Sequence, residues 1–341
     1  MRKFWVALVM MVGIIFIITQ FAELENMAKT IQRGALRYLL LAILFEGIWL
    51  VNVAALYRTI YRLLGIDENL KDLFLTAAAA NFVNVVTPTA GVGGMAVFIT
   101  EARRKNYSRG RATVASAIYV LFDYVGFLMV LALGLLVLFR RDKLEMTEIT
   151  ASGISLLVAG VIAALLYLGM YSEQRLGQFL AWMAGIVNKI VRLFRRDKTS
   201  HYIPPERAYE FAHDISEGMQ ELRGKPNKLG LPMLLALSGK SLLIIILFLV
   251  FMAFDVPVSA GTLIAGYSMA FLFTVVSPTP SGVGIVEGAL TLTLASFYIP
   301  LSDAAVVAIT YRGVTFWLPL VFGMLALRWL GGVDQVTQAE S

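Results

Sequence analysis

A chain of 341 residues that is 58% hydrophobic and 15% charged is too apolar for a soluble domain, in which charged residues run to about 25%, and it reads as an all-α polytopic membrane protein. It has no cysteine, which excludes disulfides, thiol catalysis and thiolate metal sites, and its two histidines, His201 and His213, have no acidic cluster at ligand spacing, so no metal is expected. The net charge of +6 is spread over the segments between apolar stretches and points to membrane orientation and anionic headgroups, not to nucleic acid.

Residues 4–20 are apolar after Arg2 and Lys3. No small-x-small cleavage site follows, so they read as a retained first span and not as a signal peptide. Residues 36–57 form a second span containing Glu46 and Asn52. Residues 72–86, rich in alanine, then run into Thr87-Pro88-Thr89-Ala90-Gly91-Val92-Gly93-Gly94. Proline has no N–H to give and glycine tolerates positive φ, so this stretch breaks a helix inside an apolar region. A short piece, 92–102, follows and ends at Glu101 beside Arg103 and Arg104. At about 1.5 Å per residue neither piece crosses ~30 Å of hydrocarbon, and together they predict a re-entrant helical hairpin over about 72–102.

Residues 112–139 read as a long span containing Asp123, and 152–171 as another. The polar segment 172–228 carries Leu176, Leu180, Met183 and Ile186 at helical spacing, with Lys189, Arg192, Arg195 and Arg196 opposite. It predicts a cytoplasmic amphipathic helix facing anionic headgroups. A second helix begins at Pro204-Pro205, and the segment also offers a docking surface to a protein partner. Residues 229–254 span with Lys240 inside. Residues 259–276 then meet a second break, Ser277-Pro278-Thr279-Pro280-Ser281-Gly282-Val283-Gly284, and 283–299 return past Glu287, predicting a second hairpin over about 259–299. The last span, 304–329, contains Arg312. The chain thus reads as one transmembrane domain, 1–341, of about six full spans and two re-entrant hairpins, with a first half at 1–139 and a second at 229–330.

Lysine and arginine set the orientation. Arg58, Arg62, Lys71 and the run from Arg103 to Arg111 fall on one side, against Arg140, Arg141 and Lys143 on the other. Both termini are therefore placed in the cytoplasm, in a cell (inner) membrane. The first hairpin then enters from inside and the second from outside, so the two breaks belong to inverted repeats, an arrangement that places a transporter's site between broken helices.

Five ionisable side chains fall inside spans or hairpins: Glu46, Asp123, Lys240, Glu287 and Arg312. Each such group costs roughly 2.5–3.5 kcal/mol at mid-membrane on insertion scales, so they must pair or meet water. One reading gathers them at the hairpin tips, marked by Pro88, Gly91, Gly93, Pro278, Pro280, Gly282 and Gly284. Arg312 and Lys240 would bind an anionic headgroup, and the acids would hold those cations, a cationic headgroup or a proton. The other reading makes them structural locks between helices. Asn81 and Asn84 would contact a ligand or satisfy broken backbone. Tyr311 and Trp317 read as packing or belt residues.

The pattern Asn84-x-x-Thr87-Pro88-x-x-Gly91-x-Gly93-Gly94, with Asp123 in the next span, resembles the flippase-like transmembrane region of lysylphosphatidylglycerol synthases, the multiple peptide resistance factor family. So does Pro278-x-Pro280-x-Gly282-x-Gly284-x-x-Glu287, followed by Tyr311-Arg312, Phe316-Trp317-Leu318-Pro319 and Gly323. The resemblance implies a stand-alone lipid translocator. Bifunctional members carry a soluble aminoacyl-transferase domain after this region. The chain ends at Ser341, so lysyl transfer is not expected and no catalytic residue is assigned. The expected activity is movement of a phospholipid, aminoacylated phosphatidylglycerol included, or of a polyprenyl-linked lipid between leaflets. Alternatives are a non-catalytic partner in envelope lipid biogenesis and a membrane-embedded headgroup enzyme. No phosphate-binding Gly-x-x-x-x-Gly-Lys-Ser/Thr loop is present, and no cofactor is expected.

Overall fold

The structure is a computed structural model that describes residues 34–86, 93–194, 205–222, 226–277 and 279–330. The predicted span 4–20 and the positions Pro88, Gly91, Pro278, Arg195, Arg196 and His201 lie outside the described residues. Among the described residues every regular element is a helix, in keeping with an all-α polytopic membrane protein.

Among the described residues five helices are long and apolar enough to cross a membrane. They are α1 (Leu36–Leu63), then, after the pair α2 (Leu70–Val86) and α3 (Gly94–Arg104), α4 (Arg109–Arg140) and α5 (Met146–Tyr171). After α6 (Glu173–Phe194) and α7 (Pro205–Leu222) comes α8 (Gly230–Ala253). The shorter pair α9 (Ala260–Val276) and α10 (Ile285–Ser296) follows. The fifth long helix, Leu301–Trp329, is made of α11 (Leu301–Arg312), a π turn at Gly313–Trp317 and α12 (Leu318–Trp329).

Boundaries differ from the apolar runs for local reasons. Helix α1 continues past residue 57 because Tyr57, Ile60 and Tyr61 stay buried on its inner face after its outer face has turned polar. Helix α5 starts six residues early, on a capping box in which the Glu145 N–H donates to Glu148 Oε2 at 2.9 Å. Hydropathy alone does not reveal the π turn. There the Leu318 N–H donates to the Gly313 carbonyl, five residues back, just before Pro319, which has no N–H to continue an α pattern.

Each short pair folds back on itself. Lys105 Nζ, just past α3, lies 2.5 Å from Asp72 Oδ2 at the start of α2. Gly266 on α9 faces Leu290 and Leu294 on α10. The feet of the two hairpins lie at opposite ends of the bundle. Ser108 caps the start of α4 directly after the first hairpin, whereas at the far end of α4 the Arg141 guanidinium sits 5.4 Å from the Phe297 ring at the foot of the second.

The helix pairings are reciprocal between the halves. Helix α2 packs on α12 and α9 packs on α4. Both approaches are close. A Cβ at Gly323 would overlap the Ala78 carbonyl and come within 2.9 Å of Phe82 Cβ, and one at Gly134 would come within 2.6 Å of Ser268 Cβ. Small residues at such crossings let backbones approach where no hydrophobic effect drives association. Helices α1 and α8 pair antiparallel with each other, the Ala35 N–H donating to the Ala253 carbonyl at 2.7 Å and Asn52 Nδ2 to Ser238 Oγ at 2.7 Å.

The polar segment is docked onto the bundle. Helix α7 packs on α4 and α5, and its Ala212, Ile215 and Met219 join the core around Tyr57 and Val114. Helix α6 packs on α7 with Leu176 buried, while its Trp182 is 63% exposed.

Candidate functional site

The site grows out of the two breaks. After the first, α3 must restart with an unsatisfied N-terminal N–H. The Gly94 N–H donates to Asn84 Oδ1, one turn before the end of α2, at 2.5 Å. Asn84 therefore satisfies broken backbone, one of the two roles expected of it. The position tolerates only glycine, because a Cβ on Gly94 would lie 2.7 Å from the Asn84 amide and 2.9 Å from the Ala80 carbonyl.

The second break is held by charge. Ser281, Gly282 and Gly284 take positive φ of 49°, 74° and 80°, a region that costs glycine little. The Gly284 N–H donates to Glu287 Oε2 at 2.7 Å, so Glu287 caps its own helix. Its other oxygen, Oε1, accepts from Arg312 Nε at 2.8 Å. The same guanidinium donates through Nη2 to the Ser281 carbonyl at 3.0 Å, and lies 4.2 Å from the Phe316 ring. Arg312 thus ties the turn, the helix after it and the start of the π segment together.

A second pair joins α4 to α8. Lys240 Nζ donates to Asp123 Oδ1 at 2.5 Å and lies 4.3 Å from the Phe271 ring. The lysine side chain is 3% exposed and the aspartate 30%, so the carboxylate is the open end of the pair.

These groups meet at a cavity of about 440 Å³. Its walls include Asn84, Asp123, Lys240 and Arg312, together with Ser277, Thr279 and Ser281 from the second break. Four of the six proposed substrate-contacting residues therefore share one space. Glu287 is reached through Arg312, and Glu46 does not line the cavity; it is buried in α1, with no hydrogen-bond partner among the described residues. Of the described tip residues, Gly93, Gly282 and Gly284 have structural roles in the breaks rather than places on the wall, and the backbone of Pro280 opens a short 3-10 turn. Sequence reading did not pick out Trp49, Tyr119 and Tyr267, which also line the cavity, and took Tyr311 for a packing residue. A tyrosine within the small-residue run of α9, at Tyr267, was the available signal.

Comparison with known proteins is consistent across the chain. The family model for the lysylphosphatidylglycerol synthase TM region matches residues 4–323. A UPF0104 membrane protein of Methanocaldococcus jannaschii is 25% identical over 334 residues, covering 94% of this chain and 93% of that protein. A UPF0104 membrane protein of Methanothermobacter thermautotrophicus is 22% identical over 298 residues, covering 86% of each. Another from Pyrococcus horikoshii is 24% identical over 335 residues, covering 96% of this chain and 97% of that protein. The chain is a multi-pass membrane protein and belongs to the lysylphosphatidylglycerol synthase TM region family.

Proposed function

We propose that the protein moves a lipid between leaflets, with the headgroup in the cavity and the acyl chains left in the bilayer. The observation that carries this reading is a single cavity reached by two ion pairs, Asp123–Lys240 and Arg312–Glu287, beside the ends of two broken helices. Ionisable groups in a membrane interior, grouped around a space large enough for a headgroup, mark a substrate path by default. A phospholipid or a polyprenyl-linked lipid suits a site that offers a guanidinium and several hydroxyls to a phosphate.

The reciprocal pairing of α2 with α12 and of α9 with α4 supports an inverted repeat, as does the antiparallel crossing of α1 and α8. On this reading the hairpins are re-entrant from opposite leaflets, with the N-terminus and Leu330 on the cytoplasmic side of an inner membrane. Rocking one half against the other then exposes the cavity to each side in turn. The exposed Trp182 face of α6 rests at the headgroup level.

The test is reconstitution. Purified protein in liposomes should move fluorescent phospholipids across the bilayer faster than empty liposomes, and Arg312→Ala should abolish the gain. Wild-type liposomes that match empty ones across several lipid classes would sink the reading. A chemically altered lipid would point to a headgroup enzyme instead.

A further inference from the structure

Of the three acids set in span or hairpin interiors, Glu46, Asp123 and Glu287, two are committed. Asp123 holds Lys240, and Glu287 holds Arg312 and the Gly284 N–H. Glu46 is different. It is 1% exposed, and among the described residues neither of its carboxyl oxygens has a hydrogen-bond partner. It stands in the inward stripe of α1, where Leu39, Ala42, Leu50 and Val53 recur at helical spacing and are all buried. An ionised carboxylate in such a seam has lost its hydration and gained no counter-charge, whereas a neutral carboxyl is tolerated far better.

The groups that face it are few. The antiparallel register set by Ala35 with Ala253 and by Asn52 with Ser238 brings the 242–244 stretch of α8 level with Glu46, and that stretch is apolar. The ionisable group of α8 is Lys240, held by Asp123 of α4. On α2, Lys71 and Asp72 stand at the far foot of the hairpin, where Asp72 is engaged with Lys105. From the last long helix come Arg312, held by Glu287, and Tyr311. The Tyr267 hydroxyl is buried without a partner, and both tyrosines line the cavity. Trp49, three residues further along α1, lines the cavity too, so the cavity comes within one turn of Glu46 on its own helix.

We propose that Glu46 is the proton-exchange site that couples translocation to a proton gradient. In this conformation its carboxyl carries the proton. Release breaks the carboxyl O–H bond, leaves the electron pair on Glu46 and passes the proton to water. The resulting carboxylate is stable only in a conformation in which α1 brings it to water or to a cation, so protonation and conformation are linked. The coupling role rests on the translocation reading; the buried protonated carboxyl does not.

Two measurements separate them. In lipid nanodiscs, infrared spectra at neutral pH should show a protonated-carboxyl stretch that Glu46→Gln removes. The glutamine keeps the shape and neutrality of the protonated acid, and a wild-type-like melting profile shows that the fold is retained. An identical stretch in wild type and Glu46→Gln overturns the protonation. In vesicles of phosphatidylethanolamine and phosphatidylglycerol containing an acyl-labelled fluorescent phospholipid, reversing an imposed pH gradient should change the direction ratio of transport severalfold in wild type. Glu46→Gln should lose that response. A Glu46→Gln protein that responds like wild type, or a wild type that transports without responding, overturns the coupling while leaving the function intact. No wild-type transport at all overturns both the function and the coupling, and the infrared result then decides the protonation alone.

Discussion

Arg312 and Glu287 lie 25 residues apart in sequence and 2.8 Å apart in space, and each holds part of the second break as well as the other. Removing one partner of a buried pair leaves an uncompensated charge, at a cost of about 3–5 kcal/mol. Arg312→Ala should therefore lower unfolding stability in detergent by about that amount. The paired change Arg312→Met with Glu287→Met should recover much of the loss, because matched apolar replacements of buried ion pairs are often neutral. Lipid movement should stay abolished in the double variant. Recovered transport would show that the pair serves only as a brace.

The Asp123–Lys240 pair should respond unequally. Asp123→Asn strands a lysine that is 3% exposed, whereas Lys240→Gln strands an aspartate that water reaches at 30% exposure. Denaturation in detergent should show the larger loss for Asp123→Asn, with Lys240→Gln nearer the roughly 1 kcal/mol of a solvated pair. Equal losses would place water elsewhere in the cavity.

Glycines should sort by what surrounds them. At Gly323 an added methyl overlaps the Ala78 carbonyl, which is backbone and cannot turn aside. Gly323→Ala should cost about 1–3 kcal/mol and loosen the α2–α12 contact. Gly160 on α5 has nothing within 4 Å of a built Cβ, and Gly160→Ala should gain about 0.4–1 kcal/mol through chain entropy and helix propensity. Thermal shifts of opposite sign check both.

The foot of the first hairpin carries a pH dependence. The Lys105 ammonium, hydrogen-bonded to Asp72, holds that carboxyl below its ordinary value, and Asn69 assists. A depressed carboxylate stabilises the fold above its unfolded value of about 3.9, and the benefit is lost as pH falls through the folded one. Stability should therefore decline in acid below about pH 4, and the decline should be shallower in Asp72→Asn. Parallel acid titration curves for the two proteins would dismiss the contribution.

Much of this architecture is legible in the chain because the bilayer demands long apolar runs and because proline and glycine mark where helices stop. The runs around Leu50, Phe127, Leu157 and Leu247 announce their helices without any knowledge of packing. Pairing is not legible in that way. Nothing in the spacing of Asp123 and Lys240, 117 residues apart, says that they meet. Nor does it say that Arg312, on the last long helix, is held by Glu287 and by the Ser281 carbonyl of the second hairpin. Glu46 was grouped with the other ionisable residues because sequence reports residue type and depth, not which face of α1 is turned inward. Ile215 and Met219 of the helix that begins at Pro204-Pro205 prove to join the core, which an apolar face alone does not announce, since it gives no hint of whether lipid or protein covers it.

The two ion pairs also leave the cavity with little unspent charge. On the translocation reading, an arriving headgroup meets Lys240 and Arg312 each already set against a carboxylate and, among the described residues of the wall, no bare ion. It must trade places with a resident partner, and the partner it displaces takes the site back when it leaves. Such an exchange keeps the net gain small on entry and the barrier to departure low, as passage through any conducting site requires. A site of this kind works as a turnstile, admitting a charge only while another steps aside.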